Sequence, residues 1–190
     1  MTNCENKDLQ AAPAPLSGAR RLGHPLEFLC ECHAREREVC ALIDRIAVAH
    51  RPDREIIRRV RVFLEDELPP HIEDEEQDLF PLLRRRCGPA DQIDAVIARL
   101  TRDHVHVGGG SSGILDILLR WKSGGGPLSD EDRAALIGYA SETRHHLILE
   151  NAVVLPFARL RLTDRDLESL RIRMLQRRGL RPDPEVRNAG

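Results

Sequence analysis

Apolar positions recur every three to four residues in four long runs of this chain, the period of helices that bury one face. The first run predicts a helix from His24-Pro25, with proline in the first turn where its missing N–H costs nothing, to about His50. Leu26, Leu29, His33, Cys40 and Ala47 share its inner face, so His33 points inward while His24 and His50 sit at the ends. A second helix is predicted over about 53–87, with Ile57, Val60, Leu64, His71, Glu75 and Leu82 facing inward, a kink at Pro69-Pro70 and a stop at Gly88-Pro89. A third, over about 90–122, carries Ile93, Ile97, Leu100, His104, Ser111, Leu115 and Leu118 in phase, which turns His106 to solvent. Its Gly108–Gly113 run resembles a linker, but the apolar phase set by Ile97 and Leu100 is still correct at Leu115 and Leu118, so the helix should continue through it. Ser129 caps a fourth helix, which runs to about residue 162 with Tyr139, His146, Glu150, Val153 and Phe157 inside. Thr163-Asp164 caps a short fifth.

The expected fold is therefore all-α: an up-down-up-down four-helix bundle over 23–162 with a short additional C-terminal helix over 163–180, between an N-terminal tail (1–22) and a frayed end (181–190). With 41% apolar and 32% charged residues but only 3% aromatic, its core should be aliphatic. A net charge of −2, with acids and bases mixed along the helices, and few aromatics to stack bases argue against a nucleic-acid partner. No apolar stretch approaches a membrane span, and 1–21 lacks the apolar core of a signal peptide, so a cytoplasmic protein is expected. Five cysteines without framework spacing fit free thiols, with Cys30 and Cys32 as small helix residues.

One pattern occurs twice. Residues 71–81 and 146–156 both read His-x3-Glu-x5-Pro, with an apolar pair before the proline: Leu79-Phe80 in one, Val154-Leu155 in the other. Random order of this composition gives roughly 0.04 copies. A His and a Glu four apart project from one face of a helix and can hold one cation. Counted from the shared turns, His33, His71-Glu75, His104 and His146-Glu150 reach the same height within roughly 6 Å. Four imidazoles and two carboxylates in an aliphatic core need a cation to offset their desolvation. Mixed nitrogen and oxygen donors suit iron, manganese or zinc, and six donors with two carboxylates fit a pair of ions better than one.

In these motifs the chain resembles the hemerythrin-like family, also called the HHE cation-binding domain, over roughly 24–162. The resemblance rests on His33, on His71-x3-Glu75 with Leu79-Phe80-Pro81, on Asp103-His104, and on His146-x3-Glu150 with Leu155-Pro156. It implies a four-helix bundle with a non-haem di-iron centre bridged by two carboxylates, and a link to O2, iron or related small molecules. Two departures stand out. Oxygen carriers of the family have a second His four residues after the third-helix ligand, where this chain has Gly108. That should leave space and an open position beside the metal pair. The chain also has Glu150-Asn151 where Glu75-Glu76 stands in the other motif, a difference expected to fall outside the ligands. The leading expectation is a binding protein that senses or binds O2, or responds to iron, oxidative or nitrosative stress, with O2, NO or peroxide as its small-molecule partners. The alternatives are a di-iron enzyme activating O2 or peroxide, and a metal-free interaction bundle.

Overall fold

The computed structural model describes residues 22–123 and 126–181, and all regular structure among them is helical. Helix α1 (Pro25–Val48) has proline in its first turn. The second rod is continuous but composite: α2 (Arg54–Val62), a π-turn π1 (Phe63–Glu67), α3 (Leu68–Glu73), π2 (Asp74–Leu79) and α4 (Phe80–Arg86). Asp53 caps it by accepting from the Glu55 and Ile56 N–H groups. A single 3-10 turn at Pro89–Asp91 then delays the third rod, α5 (Ile93–Lys122), by about three residues relative to the sequence expectation. The fourth rod joins α6 (Asp130–Leu149), π3 (Glu150–Val154) and α7 (Leu155–Arg161), and α8 (Asp164–Arg177) follows. Ser129 and Thr163 each close a reciprocal cap with the aspartate three residues on.

The glycine run is helical throughout α5, as its apolar phase requires. At Gly110 the packing depends on glycine, since a Cβ there would lie 3.1 Å from Cδ2 of Tyr139.

Each π-turn sits immediately before a proline. The N–H of the residue preceding it donates to the carbonyl five back: Leu68 to Phe63 before Pro69, Phe80 to Glu75 before Pro81, and Leu155 to Glu150 before Pro156. A proline ring inside a helix crowds the carbonyl four residues back, and a wider turn relieves that contact. The proline shared by the two motifs thus places a π-turn over each motif's glutamate. An extra residue per turn also moves the buried face. Beyond Glu150, burial falls on Val154, Leu155 and Ala158, whereas Val153 and Phe157, expected inside, are half-buried.

The apolar core is divided in two. One cluster holds Val39–Ala47 of α1, Ile57–Leu68, Val107–Trp121 and Leu128–Ala140; the other holds Leu22–Cys32, Leu79–Leu83, Ile93–Leu100, Val154–Ala158 and Leu170–Leu175 of α8. Successive rods cross between the clusters in alternating directions, and each carries its inward polar residues at the crossing. α6 packs along α1 and α5, α4 meets α5 and α7, and α8 lies on α1 and π2. The segment expected as a tail over 1–22 lies outside the described residues except for Leu22, which is buried. Of 181–190, only the exposed Arg181 is described.

Candidate metal centre

Between the two apolar clusters lies a polar layer that contains all six residues singled out in the sequence. His33, His71, Glu75, His104, His146 and Glu150 are each at most 5% exposed. They form two overlapping groups, His33–His71–Glu75–Glu150 and Glu75–His104–His146–Glu150, within which the ligating atoms all lie within 4.8 Å of one another. The two carboxylates belong to both groups.

The separations inside the layer are those of atoms around a cation more than those of hydrogen bonds. His33 Nε2 is 3.4 Å from both Glu75 Oε1 and Glu150 Oε2, and His71 Nε2 is 3.6 Å from Glu75 Oε2. His104 Nε2 is 3.4 Å from Glu75 Oε2 and 3.7 Å from Glu150 Oε1; His146 Nε2 is 2.9 Å from the latter. Two donors each about 2.1 Å from one ion stand about 3.0 to 4.2 Å apart, depending on the angle between them. Glu75 Oε2 and both Glu150 oxygens have no hydrogen-bond partner although fully buried. The Nε2 atoms of His104 and His146 face each other at 3.0 Å, where one proton fits between them but a cation can take both lone pairs. The donor set therefore fits two cations.

Charges without metal point the same way. Burial opposes a proton on His33, yet the Glu150 and Glu75 carboxylates outweigh it and push His33 up to about 9. Burial likewise opposes protonation of His104, but Glu150 and Glu75 push it up to about 11. Burial alone would raise Glu75 and Glu150; the surrounding imidazoles instead hold both below the usual carboxylate range. His71 goes the other way, lowered by its burial. Protons on imidazoles thus stand where cations would, and metal binding must expel them.

The outward ring nitrogens show what the two glutamate neighbours do. Glu76 Oε1 lies 2.8 Å from His104 Nδ1, and Asn151 Oδ1 lies 3.2 Å from His33 Nδ1. Each motif therefore supports, through the residue after its glutamate, the single His of another rod. Asn151 also donates to the Leu147 carbonyl at 2.7 Å, which turns its Oδ1 toward His33. Asp103 is 3.7 Å from His146 Nδ1, and His71 Nδ1 has no hydrogen-bond partner. The remaining histidines, His24, His50, His106 and His145, are exposed.

Gly108 does not lie where the sequence placed it. It is exposed, a Cβ there would meet nothing within 4 Å, and the residue of that turn lining the site is Val107. Four residues on a helix advance the face by about 40°, and here that is enough to rotate Gly108 to the surface. Sequence reasoning also missed Glu36. It is 4% exposed and borders a small cavity with His71, His104, His146, Val107, Leu68 and Ile72. Burial and the nearby Glu150 push it up to about 7. Its signal was present, since it stands one turn after His33 on the inward face of α1.

The family model described as the hemerythrin HHE cation binding domain matches residues 24–158, from the start of α1 into α7. No curated protein matches the chain.

Proposed function

From the premise that the chain belongs to the hemerythrin HHE cation-binding domain family, we propose that it is a non-haem di-iron protein that binds or senses O2, NO or peroxide in the cytoplasm. In this reading the rods form an up-down-up-down four-helix bundle over 23–162, with 163–180 as an added helix. The observation that carries it is the pair of four-residue groups sharing Glu75 and Glu150, with three buried carboxylate oxygens that face imidazole nitrogens and lack a hydrogen-bond partner. Imidazole with carboxylate suits iron; manganese and zinc are accepted by the same donors. A bound iron pair would supply a centre that changes oxidation state and takes up a diatomic molecule or peroxide. His33 and His71 in one group of four and His104 and His146 in the other would hold the ions, together with Glu75 and Glu150, the two carboxylates common to both groups. Glu76 and Asn151 fix the tautomers of His104 and His33, so their Nε2 lone pairs face the centre. The apolar clusters on either side keep bulk water away. Among the described residues Cys30, Cys32, Cys40 and Cys87 form no disulfide, which fits a reducing compartment. Among the described residues no helix is long and apolar enough to cross a membrane.

Metal analysis of protein purified under iron supply should give two irons per chain, and O2 or NO should change the spectrum of the reduced form reversibly. Zinc or no metal under those conditions refutes the iron assignment. Rapid, sustained peroxide turnover would instead select the enzyme reading.

A further inference from the structure

Among the described residues Glu36 is a buried carboxylate that lies against the site histidines and belongs to neither group of four, while the buried Asp74 and Asp78 face the arginines of α8 instead. It projects from α1 one turn after His33, and its Oε2 lies 3.9 Å from Nε2 of His71. That exceeds a hydrogen bond, but falls inside the 3.0 to 4.2 Å expected of two donors about 2.1 Å from one ion. No arginine or lysine pairs with it among the described contacts, whereas the buried Asp74 and Asp78 are both paired with arginines of the α8 end. Glu36 instead lines the small cavity together with His71, His104 and His146. We propose that Glu36 is a seventh ligand of the metal pair, bound to the ion held by His33 and His71. The inference rests on the di-metal reading and deepens it.

Two consequences follow from its position. The ion of His33 and His71 would gain a third carboxylate, so the ion of His104 and His146, with fewer protein ligands, would be the one that an external ligand binds. A third negative charge also favours the more highly charged oxidised pair over the reduced one. The arrangement is thus asymmetric: one ion would have five protein ligands, His33, His71, Glu75, Glu150 and Glu36, and the other four.

The test compares wild type, Glu36→Gln, Glu36→Asp and, as a surface control on the same helix, Glu38→Gln. Metal-free proteins are titrated with Co2+ against a chelator, the iron-loaded forms are titrated with azide, and the midpoint potential is measured. Wild type should take two ions. Glu36→Gln should weaken one of them by at least about tenfold, since even a residue behind a ligand is worth that much. It should also move the midpoint potential positive and open a second azide site, without lowering the melting temperature of the metal-free protein. Glu36→Asp, which keeps the charge but is one methylene shorter, should weaken the same ion while leaving the other unchanged. If Glu36→Gln and Glu36→Asp bind both ions as wild type does, with the same potential, Glu36 is no ligand and the inference is overturned. If wild type itself fails to bind two ions, the di-metal reading falls first.

Discussion

The substitutions Glu76→Ala and Asn151→Ala separate the two halves of the centre. Each removes the acceptor on the outward nitrogen of one imidazole: Glu76 at 2.8 Å from His104 Nδ1, Asn151 at 3.2 Å from His33 Nδ1. Those imidazoles belong to different groups of four, so each change should act on a different ion. Loss of such an acceptor frees the tautomer and lowers ligand basicity, and costs about 10–100-fold in metal affinity, or about 1.4–2.7 kcal/mol. The charged, shorter contact of Glu76 should fall near the upper value. The neutral amide of Asn151 should fall near the lower. The assay is a Co2+ titration of the metal-free protein against a chelator, resolved into two binding steps. Each variant should retain one step at wild-type affinity and weaken the other, and the double variant should weaken both. If a single substitution weakened both steps equally, or neither variant changed anything, the assignment of His33 and His104 to separate ions would be wrong.

Further outcomes follow from the same structure. Gly108→Ala, Gly109→Ala and Gly113→Ala should each stabilise by about 0.8–1.0 kcal/mol through helix propensity, because a Cβ there meets nothing within 4 Å. Gly110→Ala should gain least, since its Cβ would crowd Tyr139 at 3.1 Å; equal shifts in the four thermal melts would refute this. Arg177 and Arg178 of the α8 end both pair with Asp74, which is fully buried in π2, Arg178 through Nη2 at 2.6 Å from Oδ2. Replacing both arginines by Ala leaves that carboxylate without its cations and should cost about 3–5 kcal/mol in denaturant unfolding; a loss below about 1 kcal/mol would mean that α8 does not latch the site-bearing rod. For the metal-free protein, folding raises His33 to about 9 and His104 to about 11 from an ordinary 6.5. Their contribution is fully present below pH 6.5 and is lost as pH rises through 9 and 11. Metal affinity should move oppositely, rising with pH as fewer protons must leave, and a chelator competition from pH 6 to 9 that showed no rise would contradict the proton-for-metal exchange.

How much of this was legible beforehand can be followed residue by residue. The 3.6-residue period of Leu26, Leu29 and His33, of Ile57, Val60 and Leu64, and of Ile97, Leu100 and His104 sufficed to assign the helices and to turn the right histidines inward. The period also carried α5 through Gly108–Gly113, because helix phase persists through residues whose propensity is poor. Caps at Ser129 and Thr163 are local chemistry and read directly from sequence. So did the repeated His-x3-Glu, since four residues on a helix fix a common face whatever surrounds it. The proline of the repeat was visible too, but its effect was not: a π-turn adds a residue to the turn, and the phase of all that follows shifts, which is why Val154 and Leu155 are buried in place of Val153 and Phe157. Gly108 was misplaced because a position 40° from His104 faces the site or the surface according to how α5 is rotated against its neighbours. Tertiary structure alone decided that Asn151 reaches His33 across 118 residues, that Arg178 reaches Asp74 across 104, and that Glu36 meets His71 and not solvent. Periodicity states which face of a helix is buried; which polar groups on those faces touch depends on the packing of the rods, and no local spacing in the chain encodes it.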